Sequence, residues 1–119
     1  MTNNKNLGNK GEILAKEYLL HHGYKIITNN YHFNHLEIDL IAQQQGYTVF
    51  VEVKTRIKTP ESLNENPLAK WQTKNLKRAI DEYCFNNHID LEKIRLDLIV
   101  VLVDTSRQTA TLKHYQDIF

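Results

Sequence analysis

Hydrophobic residues recur along the chain with two periodicities, one typical of helices and one typical of strands. Between residues 7 and 22 the apolar positions lie three, four and seven residues apart, which predicts a helix with one buried stripe that stops before Gly23. A second helical pattern covers residues 68–85. The predicted inner face of this second helix consists of Gln72, Leu76, Ala79, Ile80, Tyr83 and Cys84.

Five shorter segments have the alternating or unbroken apolar character of β-strands. They are residues 24–28, which end at two asparagines, and residues 36–42, 47–54, 94–103 and 109–114. The loop Gln-Gln-Gln-Gly at residues 43–46 predicts a β-hairpin of the second and third strands. Residues 55–67 contain both prolines and many polar residues, and we expect a mobile loop there. The order αβββαββ predicts an α/β or α+β domain with helices packed on a mixed sheet.

The composition limits the size and class of the protein. With 119 residues, 41% of them hydrophobic, the chain is expected to form one domain, residues 1–119, around a substantial core. The single cysteine, Cys84, excludes an internal disulfide and a cysteine-rich zinc site. Apolar runs are far shorter than the roughly 20 residues of a membrane span, and the first residues do not resemble a signal peptide. We therefore expect a soluble, cytoplasmic domain.

Acidic side chains interrupt the apolar pattern of the predicted hairpin. Glu37 and Asp39 share one face of its first strand, and Glu52 shares a face with Lys54 on its second strand. Two registers are open, one with Glu37 opposite Glu52 and one, shifted by two residues, with Asp39 opposite Glu52. Like charges that face each other destabilise a sheet by up to about 1 kcal/mol. The arrangement is easier to explain if a cation lies between the acids.

Paired carboxylates beside a strand carbonyl form an oxygen site that suits Mg²⁺. A bound metal ion lowers the pKa of a coordinated water and neutralises charge on a phosphate, and a nearby lysine can stabilise the same charge. The residue types therefore fit metal-assisted hydrolysis of a phosphodiester. They fit equally the solvated face of an amphipathic hairpin, with Glu52 and Lys54 as an exposed pair, and the residues alone leave both interpretations open.

Short strings of residues, spread over nearly the whole chain, match a known pattern. They are Lys10-Gly11-Glu12, Ala15, Tyr18-Leu19, Gly23-Tyr24, Asn30, Glu37-Ile-Asp-Leu-Ile41, Phe50-Val-Glu-Val-Lys-Thr-Arg56, Gln72, Lys74, Ala79 and Arg95-Leu-Asp-Leu-Ile99. With these strings the chain resembles the bacterial YraN family, which looks related to archaeal Holliday-junction resolvases of the PD-(D/E)xK superfamily. The string from Phe50 to Arg56 is the most specific part of the resemblance.

The resemblance implies a restriction-endonuclease-like fold and a nuclease site that depends on Mg²⁺ or Mn²⁺. Asp39 and Glu52 would bind the metal ion together with the backbone carbonyl of Val53. Glu12 would be an accessory acid near the metal ion, and Lys54 would be the catalytic lysine.

Two residues qualify this implication. Glu12 can also be read as an ordinary exposed partner of Lys16, four residues further along the helix. The family usually has a glycine directly before the Glu-Ile-Asp triplet, where this chain has Leu36. A glycine there would allow a close approach of another backbone, so its loss affects how DNA could reach the start of the strand.

The formal net charge of +1 hides an uneven distribution along the chain. Residues 54–78 contain seven Lys and Arg and two Glu, a net charge of +5, whereas the remaining residues have a net charge of −4. A basic segment beside an acidic metal site suits a phosphate backbone. The candidate nucleic-acid-binding residues are Arg56, Lys70, Gln72, Lys74 and Lys77.

The leading hypothesis is a Mg²⁺-dependent DNA endonuclease of the Holliday-junction-resolvase type, acting on branched or structured DNA, with a homodimer as one arrangement. The alternative is a nucleic-acid-binding module on the same fold that does not cut. A purely structural domain with a solvated acidic face is a third interpretation. For Arg95 and Asp97, a structural ion pair or a contact at the edge of the sheet is expected rather than a catalytic role.

Overall fold

A computed structural model describes the backbone of residues 4–64 and 73–118. The helices in these ranges are α1 (Asn4–His21), α2 (Pro60–Asn64) and α3 (Thr73–Asn87), together with a 3-10 turn at Leu91–Lys93. The strands are β1 (Lys25–Phe33), β2 (Leu36–Gln44), β3 (Tyr47–Ile57), β4 (Ile94–Asp104) and β5 (Thr109–Tyr115). No helix in the described ranges is both long and apolar enough to cross a membrane.

The strands form one five-stranded sheet in the spatial order β1-β2-β3-β4-β5. The β3–β4 pair is parallel and the other three pairs are antiparallel. The α3 helix lies between β3 and β4 in the chain, as the connection of parallel strands requires. This confirms the predicted mixed sheet flanked by helices, an architecture compatible with the restriction-endonuclease-like fold.

Helices cover both faces of the sheet. On one face Ala15 and Leu19 of α1 pack with a cluster that includes Val51 of β3. On the other face Ile80 of α3 packs with a cluster that includes Phe50. Because neighbouring residues of β3 point to opposite faces and both faces are covered, the middle of the sheet is apolar on both sides. This explains the long apolar runs that predicted β3 and β4.

Two predicted boundaries are wrong for identifiable reasons. The first strand does not end at the two asparagines but continues to Phe33, because Asn30 adopts a left-handed φ of 52° that asparagine tolerates. The predicted mobile loop is ordered in its first part: residues 55–57 belong to β3, and α2 follows. Thr59 and Ser62 exchange hydrogen bonds at the start of α2, which caps it. Residues 65–72, where the second predicted helix was to begin, lie outside the described ranges.

A close contact between Gly11 of α1 and Thr55 of β3 sets how α1 lies on the sheet. A methyl group on Gly11 would collide with the Thr55 hydroxyl and come within 3.0 Å of its Cγ2. We expect Gly11→Ala to destabilise the protein by about 1–3 kcal/mol, as overpacking commonly does. Chemical denaturation of the two proteins measures the difference.

Gly8 provides the matched control, since a Cβ there would meet nothing within 4 Å. Gly8→Ala should stabilise by up to about 1 kcal/mol because alanine is the better helix former. Equal effects of the two substitutions would contradict the packing argument.

Candidate active site

The hairpin of β2 and β3 adopts the second of the two registers left open by the sequence. Pairing runs from Gln44–Tyr47 to Leu40–Val51, and its continuation places Asp39 opposite Glu52. The Asp39 carboxylate accepts a hydrogen bond from the backbone N–H of Val53, with Oδ2 and the nitrogen 2.8 Å apart. The Asp39 side chain of β2 is thus fixed by a hydrogen bond to the backbone of β3.

Three carboxylates from two elements converge beside this point. Glu12 of α1 and Glu37 and Asp39 of β2 each offer an oxygen, and these oxygens all lie within 4.8 Å of one another. Glu12 and Asp39 are half-buried and Glu37 is exposed. Because Gly11 rests directly against Thr55, α1 is close enough to the sheet for the next side chain, Glu12, to reach the acids of β2.

The sequence placed Glu37 on the same strand face as Asp39 but assigned it no ligand role, and the structure places it in this group. A signal was present, since residues two apart on a strand share a face and Glu37 is two residues before Asp39. Glu52 is linked to the group through a hydrogen bond between its carboxyl group and that of Asp39.

Burial and mutual repulsion keep protons in the site. Burial raises the pKa of Glu52 to about 8, and the charge of Asp39 adds to this effect. Burial also raises the pKa of Asp39, to about 6, although the Val53 N–H partly stabilises its charged form. The pKa of Glu12 is raised by burial, then by the nearby charges of Asp39 and Glu37. Burial and repulsion therefore favour a proton shared between the carboxyl groups of Glu52 and Asp39 near neutral pH.

This donor set suits a hard divalent cation. The side chains offer only oxygen ligands, and one or two carboxylates with several waters is the usual environment of Mg²⁺ in proteins. A cation held by Asp39 and its neighbours would offset the repulsion that raises their pKa values.

A cleft of about 560 Å³ adjoins the carboxylates. Leu7, Gly8 and Glu12 of α1 form one side of the cleft, and residues 53–57 of β3 form the other. Lys54 is half-buried in its wall, whereas Arg56 is exposed and donates a hydrogen bond to the carbonyl of Thr55 at 3.1 Å. The Glu-x-Lys pattern thus brings an acid and a lysine to the same region as Glu12.

The other candidate nucleic-acid-binding residues lie away from this cleft or outside the description. Lys77 is exposed on α3. The backbone of Lys74 belongs to α3, but its side chain is not among the described parts of the structure. Lys70 and Gln72 lie wholly outside the described ranges. Leu36, at the position of the family glycine, is buried in the cluster beside α3, so it contributes to the core.

Of the two expectations for Arg95 and Asp97, the structural ion pair is confirmed. Arg95 donates from Nε and Nη2 to the two carboxylate oxygens of Asp97, both at 2.9 Å. Its Nη2 also donates to the hydroxyl of Tyr24 at 2.6 Å. The Asp97 side chain is fully buried, and burial alone would raise its pKa. Hydrogen bonds from His114 and Arg95 outweigh burial and hold the pKa below its ordinary value.

His114 extends this buried group of polar residues and was not singled out in the sequence. Its Nε2 lies 2.7 Å from Asp97 Oδ2, and its Nδ1 lies 2.9 Å from the hydroxyl of Tyr18 in α1. The backbone N–H of Asp117 also donates to Asp97 at 3.0 Å. The group thus ties α1 and the end of the chain to β4.

The sheet and the carboxylate group together define an α+β protein with a cation-compatible acidic site at the junction of a helix and two central strands. Comparison with known proteins gives the family. The model of "Uncharacterised protein family UPF0102" matches residues 11–101, and the chain belongs to this family, also called the YraN family.

Similar proteins of the same family match the chain along almost its whole length. A UPF0102 protein of Flavobacterium psychrophilum is 36% identical over 119 residues, covering 100% of this chain and 98% of that protein. One of Chlorobium phaeobacteroides is 34% identical over 117 residues, or 95% and 92% of the two chains. One of Carboxydothermus hydrogenoformans is 37% identical over 121 residues, or 98% and 97%.

Proposed function

We propose that this protein is a divalent-metal-dependent endonuclease that hydrolyses phosphodiester bonds in DNA. The observation that carries the proposal is the convergence of Glu12, Glu37 and Asp39 within 4.8 Å, with Glu52 hydrogen-bonded to Asp39. Repulsion between the carboxylates of the hairpin lowers the stability of the fold. A bound cation would remove this repulsion, which explains why the acids lie so close together. The family name supplies no activity, so the proposal depends on the site.

Asp39, Glu52, Glu12 and Glu37 would hold Mg²⁺ or Mn²⁺, and the carbonyl of Val53 stays a predicted further ligand. Bound there, the ion would activate a water molecule and neutralise charge developing on the phosphate. Asp39 is held in a fixed orientation by the Val53 N–H, and Glu52 would have to be deprotonated to act as a ligand.

The basic side chains of β3 would contact the substrate. Lys54 lines the cleft beside Glu12 and would stabilise negative charge on the phosphate that is cut. Arg56, also in the cleft wall, would bind a neighbouring phosphate. Branched or structured DNA remains the proposed substrate and a homodimer the proposed assembly. The cytoplasm, where bacterial DNA lies, is the proposed location of this activity.

Asp39→Asn should reduce the cleavage of fluorescent branched DNA at least ~100-fold, the scale seen when a group that stabilises transition-state charge is removed. The asparagine carbonyl can still accept the hydrogen bond from Val53, so the fold is expected to persist. Cleavage is followed on gels with Mg²⁺ or Mn²⁺, and circular dichroism confirms the fold.

Glu17→Gln, which neutralises an exposed carboxylate of α1, is the matched control and should cut like the wild type. Equal cutting by Asp39→Asn and wild type would exclude this site as the source of the activity.

A binding module that does not cut is the second candidate, favoured by the presence of Lys54 and Arg56 in the cleft wall. It predicts a salt-sensitive gel shift that is unchanged by chelators and by Asp39→Asn, without cleavage under any metal condition.

A further inference from the structure

We propose that the cleft between the start of α1 and the end of β3 binds a single unpaired nucleotide next to the phosphate that is cut. The preferred substrate would then be DNA with a single-stranded segment at the cut site. This inference rests on the proposed nuclease function and specifies the substrate class of the same site.

The outer part of the cleft presents apolar side chains on both walls. Leu7 lies four residues before Gly11 and therefore on the same face of α1, and Ile57 lies two residues after Thr55 on the same face of β3. Since Gly11 and Thr55 are in contact, Leu7 and Ile57 form the two sides of the cleft beyond that contact. Ile57 is 37% exposed. The flat ring of a base would cover this apolar surface.

The inner part of the cleft leads to the carboxylates. Glu12 belongs both to the cleft wall and to the acidic group with Glu37 and Asp39. Lys54 and Arg56 add positive charge to the wall formed by β3. A nucleotide with its base against Leu7 and Ile57 would thus direct its phosphate toward the side chains of Lys54 and Arg56, next to the carboxylates that would hold the metal ion.

The size of the cleft favours one nucleotide. Its volume of about 560 Å³ falls within the range of roughly 300–1,000 Å³ that is typical of sites enclosing one small organic ligand. A base in a duplex could enter only by leaving its stack, which costs a few kcal/mol and costs least for a base that is already unpaired. The cleft therefore favours an unpaired base over a paired one.

A fluorescence experiment without metal tests binding separately from cleavage. A single-stranded oligonucleotide carrying one 2-aminopurine is titrated with the full chain in the presence of a chelator. We expect the fluorescence to increase as the base leaves its neighbours, and the affinity to exceed that for a blunt duplex of the same sequence at least tenfold.

Gly8→Leu should block the cleft, because the position opens into free space and leucine is a better helix former than glycine. We expect at least tenfold weaker binding of the single strand and unchanged binding of the duplex. Asn6→Leu is the matched control, since it lies about 200° around α1 from Gly8 and is exposed. Ile57→Ser, on the opposite wall, should weaken single-strand binding severalfold.

Wild-type affinity of Gly8→Leu and Ile57→Ser for the single strand, or equal affinity of the wild type for single strand and duplex, would overturn the inference. The nuclease proposal is decided separately by cleavage in Mg²⁺. A fluorescence change that Asp39→Asn retains and Gly8→Leu loses supports the cleft site even if no DNA is cut.

Discussion

Asp97→Asn is expected to lower the free energy of unfolding by about 3–5 kcal/mol, the usual cost of removing one partner of a buried ion pair. The carboxylate of Asp97 is fully buried and binds Arg95 through both of its oxygens. Asparagine has one oxygen in place of two and no charge, so the guanidinium of Arg95 would remain beside the core without its counter-charge. His114 would lose a charged partner at the same time.

Denaturation in urea or guanidinium measures this effect as a lower midpoint with an unchanged slope. Asp81→Asn, an exposed aspartate of α3, is the control and should stay within about 0.5 kcal/mol of the wild type. If the cost comes from an uncompensated charge, adding Arg95→Met to Asp97→Asn should recover part of the loss. A loss below about 1 kcal/mol for Asp97→Asn would show that the pair contributes little.

Raising the pH is expected to destabilise the metal-free protein through Glu52 and Asp39. The pKa of Glu52 rises from 4.5 to about 8 on folding and that of Asp39 from 3.8 to about 6. Because the folded state binds these protons more tightly than the unfolded chain, their stabilising effect is fully present below about pH 4 and is lost as the pH rises through 6 and 8.

Glu52→Gln removes the larger of these titrations and keeps a hydrogen bond to Asp39. At pH 9 in a chelator, the variant should exceed the wild type in stability by up to about 5 kcal/mol, because each unit between the ordinary pKa of 4.5 and about 8 is worth about 1.4 kcal/mol. The advantage should vanish near pH 4. Free energies of unfolding at several pH values measure the difference, and titrating groups away from the carboxylate site cancel between the two proteins.

Mg²⁺ should act on the wild type in the opposite direction to alkali. Added at pH 8, it is expected to raise the melting temperature of the wild type, because a ligand of the folded state alone stabilises by mass action. The rise in melting temperature should be smaller for Glu52→Gln than for the wild type, whereas Glu17→Gln should show the same rise as the wild type. Parallel pH profiles of wild type and Glu52→Gln would contradict the coupling of Glu52 with Asp39.

Local patterns predicted α1, the described part of α3, the five strands and the acids of the hairpin, because each depends on residues close together in the chain. The register of the hairpin was open because Gln-Gln-Gln-Gly fits either a four-residue or a two-residue loop. The structure has the two-residue turn, with Gln45 at a φ of 50° and Gly46 at 84°. This geometry is the one for which asparagine-glycine is the usual signal, and glutamine at the first position gave no such signal.

Contacts between distant parts of the chain were harder to predict. His114 approaches Tyr18 across 96 residues of sequence, and no spacing rule relates two such positions. The contact of Gly11 with Thr55 was equally invisible, although it determines how near Glu12 comes to the strands. The candidate site could therefore be predicted within the hairpin, whereas its connection to α1 required the family resemblance.

The position of the site within the sheet also bears on the order of folding. Asp39 and Glu52 belong to a hairpin, and hairpins close within about 1–10 μs. The parallel pairing of β3 with β4 joins Thr48 to Ile94, 46 residues further along the chain, and pairing of that kind is slow. During synthesis, α1 and the hairpin leave the ribosome before β4. We therefore expect Asp39 and Glu52 to come together early in folding, before β4 pairs with the other edge of β3.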